Sequence, residues 1–219
     1  MTTTIANPAS ATDYFGVFGL RRKLNLDTAK LEKDFYALSR KLHPDLFARA
    51  SAEEREWSQE QSSRLNDAYR TLKDPIRRTE YLLKLEGVEL EEQSKSATDA
   101  ARATGAAKKQ VVPPALLEEV FELNLQLEEM RMSKKMGEPD PELTEALKKQ
   151  ELHLEQQFEA LSGELRGYWN EWDEVMDQEL HGNEVSEKRT QVRGKLVDLL
   201  NRRNYYRNLV RDVNEVLES

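Results

Sequence analysis

The chain of 219 residues contains no cysteine. That excludes disulfides, thiolate nucleophiles and any Cys-ligated zinc or iron–sulfur centre, and leaves only His, Asp and Glu as metal ligands. Histidine is also scarce: His43, His153 and His181 lie far apart and none belongs to an HExxH-type pair, so neither a metal site nor a cofactor is expected. Glycine and proline number only 9 and 7, and no G-x-S-x-G elbow or Walker-type loop is present to cradle a phosphate. No stretch approaches the ~18 to 20 apolar residues of a membrane span. A net charge of -8 argues against general nucleic-acid binding, which requires a cationic surface to displace counterions from phosphates. Residues 1–12, MTTTIANPASAT, lack both an apolar signal core and presequence arginines, and read as a disordered N-terminus of a cytoplasmic protein. The lack of cysteine is compatible with a reducing compartment.

Charged residues make up 34% of the chain, and with so few helix breakers an all-α protein with modest cores is expected. The most distinctive stretch is the tripeptide His43-Pro44-Asp45. Before it, Leu31, Phe35, Leu38 and Leu42 recur at helical spacing on one face; after it, Leu65, Ala68, Tyr69 and Leu72 do the same. Two such helices joined by a short loop lie antiparallel and cover each other's stripes, which leaves the loop at the tip of a hairpin. Pro44 biases His43 away from the α region, so the first helix should stop at Leu42 and present the imidazole and the Asp45 carboxylate to solvent. On a wheel with Leu31 at zero, Lys33 and Arg40 fall near roughly 180 to 200° and Lys30 and Lys41 near 260 to 280°. In an acidic chain this ridge suits an acidic partner surface, although a solvated helix face closed by a proline accounts for the same residues. His43 and Asp45, without a nucleophile or pocket, make poor acid–base machinery, and no enzyme is expected.

This stretch resembles a J domain. DYFGVFGL (13–20) looks like its opening turn and first helix, LDTAKLEKDFYALSRKLHPD (26–45) like its second helix and loop, and RLNDAYRTLKDPIRRTEYLLKLEG (64–87) like its third and fourth helices. The last segment is most similar to the HscB type, J-type co-chaperones of iron–sulfur cluster assembly. One departure is Leu46, where many J domains carry a basic residue. Within 13–87, Asp13 and Asp27 are placed to cap helices, Asp74-Pro75 to start the fourth and Gly87 to end it.

The segment 88–112 is small and polar, without aromatics, and reads as a linker. Residues 113–219 read as three long helices, about 114–136, 141–180 and 185 to the end, with seams at three-four spacing that predict an antiparallel three-helix bundle. The first of these carries two stripes. With Leu116 at zero, Val120, Leu123, Leu127 and Met130 lie within about 40° of it, whereas Leu117, Phe121 and Leu125 fall near 100, 140 and 180°. Glu118, Glu122 and Glu129 flank this second stripe at roughly 200 to 240°. On the last helix Tyr205 stands about 140° off the core stripe. Exposed, these groups would form a docking surface with apolar anchors and an acidic rim; packing on the first domain, on the linker or on a second copy is the structural alternative.

The resemblance implies a division of roles. The loop His43-Pro44-Asp45 with Lys33, Arg40 and Lys41 would dock on an HscA- or DnaK-type chaperone and stimulate its ATPase. Leu117, Glu118, Phe121, Glu122, Leu125, Glu129 and Tyr205 would bind an IscU-type scaffold protein as client. Glu118 and Leu125 exchange polarity relative to the family's pattern, and the 88–112 linker is long for it. A J protein for a different client, or a purely structural helical scaffold, would share much of this sequence.

Overall fold

The computed structural model describes residues 12–88, 117–137, 140–179 and 186–218, and among them it contains helices and no strand. The all-α expectation is met. Residues 1–11, nearly all of the 88–112 linker, the expected helix start at 113–116 and the expected joints between helices at 138–139 and 180–185 lie outside the described residues. The helices are α1 (Tyr14–Val17), α2 (Thr28–Leu42), α3 (Ala52–Lys73), α4 (Pro75–Leu85), α5 (Leu117–Met136), α6 (Pro141–Glu179) and α7 (Ser186–Glu218), with a 3-10 turn over Pro44–Phe47.

Packing divides the chain into two compact units, Met1–Leu90 with Tyr168–Arg193, and Glu91–Gly167 with Gly194–Ser219. The periodicity of 113–219 suggests a single body, but the tips of α6 and α7 group with the first unit.

In the first unit each helix begins where the sequence supplies an acceptor. Asp13 accepts the Gly16 N–H at 2.8 Å, Asp27 the Lys30 N–H at 2.9 Å, and Asp74 the N–H groups of Ile76 and Arg77 at 2.9 and 2.8 Å. Ser51 and Glu54 form a reciprocal capping box at the head of α3, and these bonds hold the Glu54 carboxyl below its usual range. Helix α4 ends as expected: Gly87 takes φ +76° and lets the Val88 N–H reach back to the Leu83 carbonyl at 2.9 Å. Leu31, Leu38 and Leu42 of α2 are buried with Leu65, Ala68 and Leu72 of α3, and Phe35 stacks on Tyr69 with centroids 4.2 Å apart.

The tip of α6 joins this unit because it carries groups the loop before α2 requires. The backbone N–H groups of Leu24 and Asn25 donate to the Asp173 carboxylate at 2.7 and 3.0 Å, and the Trp172 indole donates to the Arg22 carbonyl at 2.9 Å. Asp177 accepts from Arg21 and Lys23, which pulls its carboxyl below the ordinary range. Arg78 is buried, stacks over Trp169 at 4.6 Å and donates to the Leu72 carbonyl at 2.7 Å, while the Trp169 indole donates to Thr79 at 3.0 Å. From α7, Arg189 pairs with Glu86 at 2.6 Å.

In the second unit three helical segments share one core. Val120, Leu123, Leu127 and Met130 of α5 meet Leu147, Leu154 and Leu161 of α6 and Tyr205, Tyr206, Leu209, Val213 and Val216 of α7. The bundle-facing stripe of α5 is thus the one its spacing indicates.

Candidate docking surfaces

The tripeptide loop starts from a backbone problem. His43 takes φ -60° and ψ 129°, so α2 stops at Leu42, as the following proline requires. The Leu42 carbonyl then has no helical partner. Two hydroxyls of α3 supply it: Ser58 donates at 2.7 Å and Ser62 at 2.8 Å. Ser58 is fully buried, and the pair sits one turn apart on one helix face. Sequence patterning misses both serines, because a polar residue on an apolar stripe reads as a defect until the orphan carbonyl it serves is in place.

Beyond that anchor the loop closes on itself. The Asp45 N–H donates to His43 Nδ1 at 3.2 Å, and the Leu46 N–H donates to the His43 carbonyl at 3.0 Å. The side chains of His43 and Asp45 are 54% and 89% exposed, so the loop offers an imidazole and a carboxylate from a fixed frame. Lys33, Arg40 and Lys41 are exposed on α2.

On α5 the second stripe stands in solvent: Leu117, Phe121 and Leu125 are 55%, 65% and 56% exposed, with Glu118, Glu122 and Glu129 exposed beside them. The stripe is also longer than the sequence reading has it. Met132 and Met136 are 56% and 73% exposed, and with Leu117 at zero they fall near 60 and 100°, within the arc of Phe121 and Leu125 at about 40 and 80°. Glu119, by contrast, turns toward α6, accepting from Gln150 at 2.9 Å and lying 3.6 Å from His153.

Tyr205 departs from expectation. It is 5% exposed and belongs to the shared core, as does Leu209. Burial, with the Glu119 charge second, pushes its phenol up to about 12. The apolar positions of this part of α7 span an arc of about 140°, and α5 and α6 cover it from both sides. A residue well off the centre of a stripe that wide is still inside, so the ring is not available at the surface.

Among the described residues no three His, Asp or Glu side chains gather to hold a metal ion, and no helix is long and apolar enough to cross a membrane.

Residues 13–81 match the model of the DnaJ domain. A co-chaperone protein HscB homolog of Vibrio cholerae is 49% identical over 78 residues, 36% of this chain and 46% of the relative. The human iron-sulfur cluster co-chaperone protein HscB is 41% identical over 87 residues, 40% of this chain and 37% of the relative. The chain spans about half the length of the bacterial relatives it matches. In solved structures, the chaperone HscB from Vibrio cholerae superposes with a TM-score of 0.55 at 27% identity, covering 94% of this chain and 98% of that one. Residues 13–81 are a J domain, and the stretch around it is similar to HscB co-chaperones.

Human HscB, at 22% identity and a TM-score of 0.53 over 94% of this chain and 82% of that one, shares the fold. Leu46 follows the tripeptide and is 67% exposed, and Leu125 stands in the apolar arc of α5 at 56%.

Proposed function

We propose that this chain is an HscB-type J co-chaperone of iron–sulfur cluster assembly, acting in the cytoplasm. Its J domain stimulates the ATPase of an HscA- or DnaK-type chaperone, and the outer face of α5 delivers an IscU-type scaffold to that chaperone. The carrying observation is the tripeptide frame: an exposed imidazole and carboxylate on a loop anchored at the Leu42 carbonyl and closed on itself, beside the cations Lys33, Arg40 and Lys41. A surface of this kind docks on an acidic partner and leaves the chemistry to it, so the ATP site belongs to the chaperone and the cluster ligands to the scaffold; the chain is not itself an enzyme.

On the client side the proposal rests on Leu117, Phe121 and Leu125 with Glu118, Glu122 and Glu129. Two or three large apolar side chains, each contributing about 1.5 to 3 kcal/mol when covered, suffice for micromolar binding before association costs. Tyr205 is left out of this surface because its ring is in the core. The burial of Tyr205 and the polarity exchange at Glu118 and Leu125 favour a second reading, the same chaperone half with a different client. Chaperone ATP turnover measured with this chain and scaffold, singly and together, tests both: synergy of the two supports the first reading, and stimulation by the chain with no effect of scaffold selects the second. No stimulation by the chain sinks the chaperone half.

A further inference from the structure

Leu46 is the residue next to Asp45, yet the sequence gives it neither a core to enter nor a charge to hold in water. Its backbone is fixed, the N–H donating to the His43 carbonyl at 3.0 Å, while its side chain is 67% exposed. In the 3-10 turn it lies only about 6 Å along the axis from His43, and its neighbour Phe47 packs edge-on against Trp57 with centroids 5.8 Å apart. Trp57 is itself 38% exposed. Exposed apolar side chains therefore stand close in sequence to the two polar groups of the loop, and a surface that covers His43 and Asp45 has Leu46 within reach.

We propose that Leu46, backed by the Phe47–Trp57 pair, is an apolar anchor that seats in a recess of the same chaperone surface that receives the tripeptide. This rests on the reading of that loop given above and adds the partner's chemistry: an anionic face opposite Lys33, Arg40 and Lys41, interrupted by an apolar recess within a few ångströms of the groups that meet His43 and Asp45. The cationic ridge selects an acidic chaperone face over a second copy pairing loop to loop, because that pairing would bring like charges together. Because an apolar contact is insensitive to ionic strength where an ion pair is screened, Leu46 makes docking more tolerant of salt than a basic residue there would.

The test is a titration of chaperone ATP turnover with the full chain and with L46A, L46K and H43Q, at low and high salt. Leu46 touches no core, so its variants fold. L46A is expected to raise the half-saturating concentration about five- to tenfold with the maximal stimulation unchanged, and L46K to dock more salt-sensitively than the natural residue. H43Q is expected to remove stimulation itself. A half-saturation point in L46A within twofold of the unaltered chain overturns the anchor, as does a loss of maximal turnover with half-saturation unmoved. Concentration-dependent self-association that L46A abolishes, with turnover unaffected, overturns it in favour of a second copy. Stimulation by no form of the chain overturns the loop reading, and the anchor with it.

Discussion

The tripeptide loop and the outer face of α5 are both exposed, but for different physical reasons. The loop is outside because Pro44 forbids another helical turn, and its backbone polar groups are then satisfied by Ser58, Ser62 and the loop's own atoms. The face of α5 is outside because Leu117, Phe121, Leu125, Met132 and Met136 are apolar side chains in excess of what α6 and α7 can cover. The first site is a geometry held in place; the second is apolar area left in water. A partner of the loop should sense the position of a few atoms, and a partner of α5 the amount and length of the stripe.

The sharpest way to break this contrast is at His43. H43Q should abolish stimulation of chaperone ATP turnover, leave scaffold affinity within twofold and leave the melting temperature unchanged; loss of scaffold binding with the fold intact would show that the two surfaces are one. Next in size is Tyr205. Y205A should cost about 3 to 5 kcal/mol in chemical denaturation, as for a buried aromatic, where a surface ring would cost almost nothing. The same ring sets an alkaline limit: its phenol ionises at about 12 folded against about 10 unfolded, so its stabilising share is complete below pH 10 and is lost as pH rises toward 12. Spectrophotometric titration of Y205F against the unaltered chain should show the late phenol missing.

A smaller effect is expected for L117A with F121A: scaffold affinity at least about tenfold weaker at an unchanged melting temperature. A clear fall in melting temperature would assign the stripe to internal packing. The mildest for partner binding is S58A with S62A, which leaves the Leu42 carbonyl buried and unpaired at a cost to stability of about 1 to 3 kcal/mol. Its hydrogen exchange should rise at Leu46 and Asp45, while scaffold binding stays as it was.

What could be read ahead of the structure follows the range of the forces involved. The Leu31, Leu38 and Leu42 stripe, the caps at Asp13, Asp27 and Asp74, the stop at Leu42 and the two faces of α5 are written within a turn or two of sequence, and they stand where the spacing puts them. Tyr205 is different, because its burial depends on how many neighbours close over a wide stripe, and an angle on one helix does not contain that. Trp172 is buried, but its indole N–H needs an acceptor, and the one it finds, the Arg22 carbonyl, lies 150 residues away. Ser58 and Ser62 are illegible for the same reason: their partner is the Leu42 carbonyl, sixteen and twenty residues earlier, left free because Pro44 ends the helix.

The clasp between the loop before α2 and the tip of α6 bears on anyone who would transplant this module. Excising residues 12–88 for a chimera would strip the Leu24 and Asn25 amides of the Asp173 carboxylate, expose the guanidinium of Arg78 where Trp169 had shielded it, and leave Arg21 and Lys23 as bare cations. The smallest transferable part is discontinuous along the chain, so a graft must carry the end of α6 and the start of α7 with it, or cover the exposed groups with a surface that water accepts.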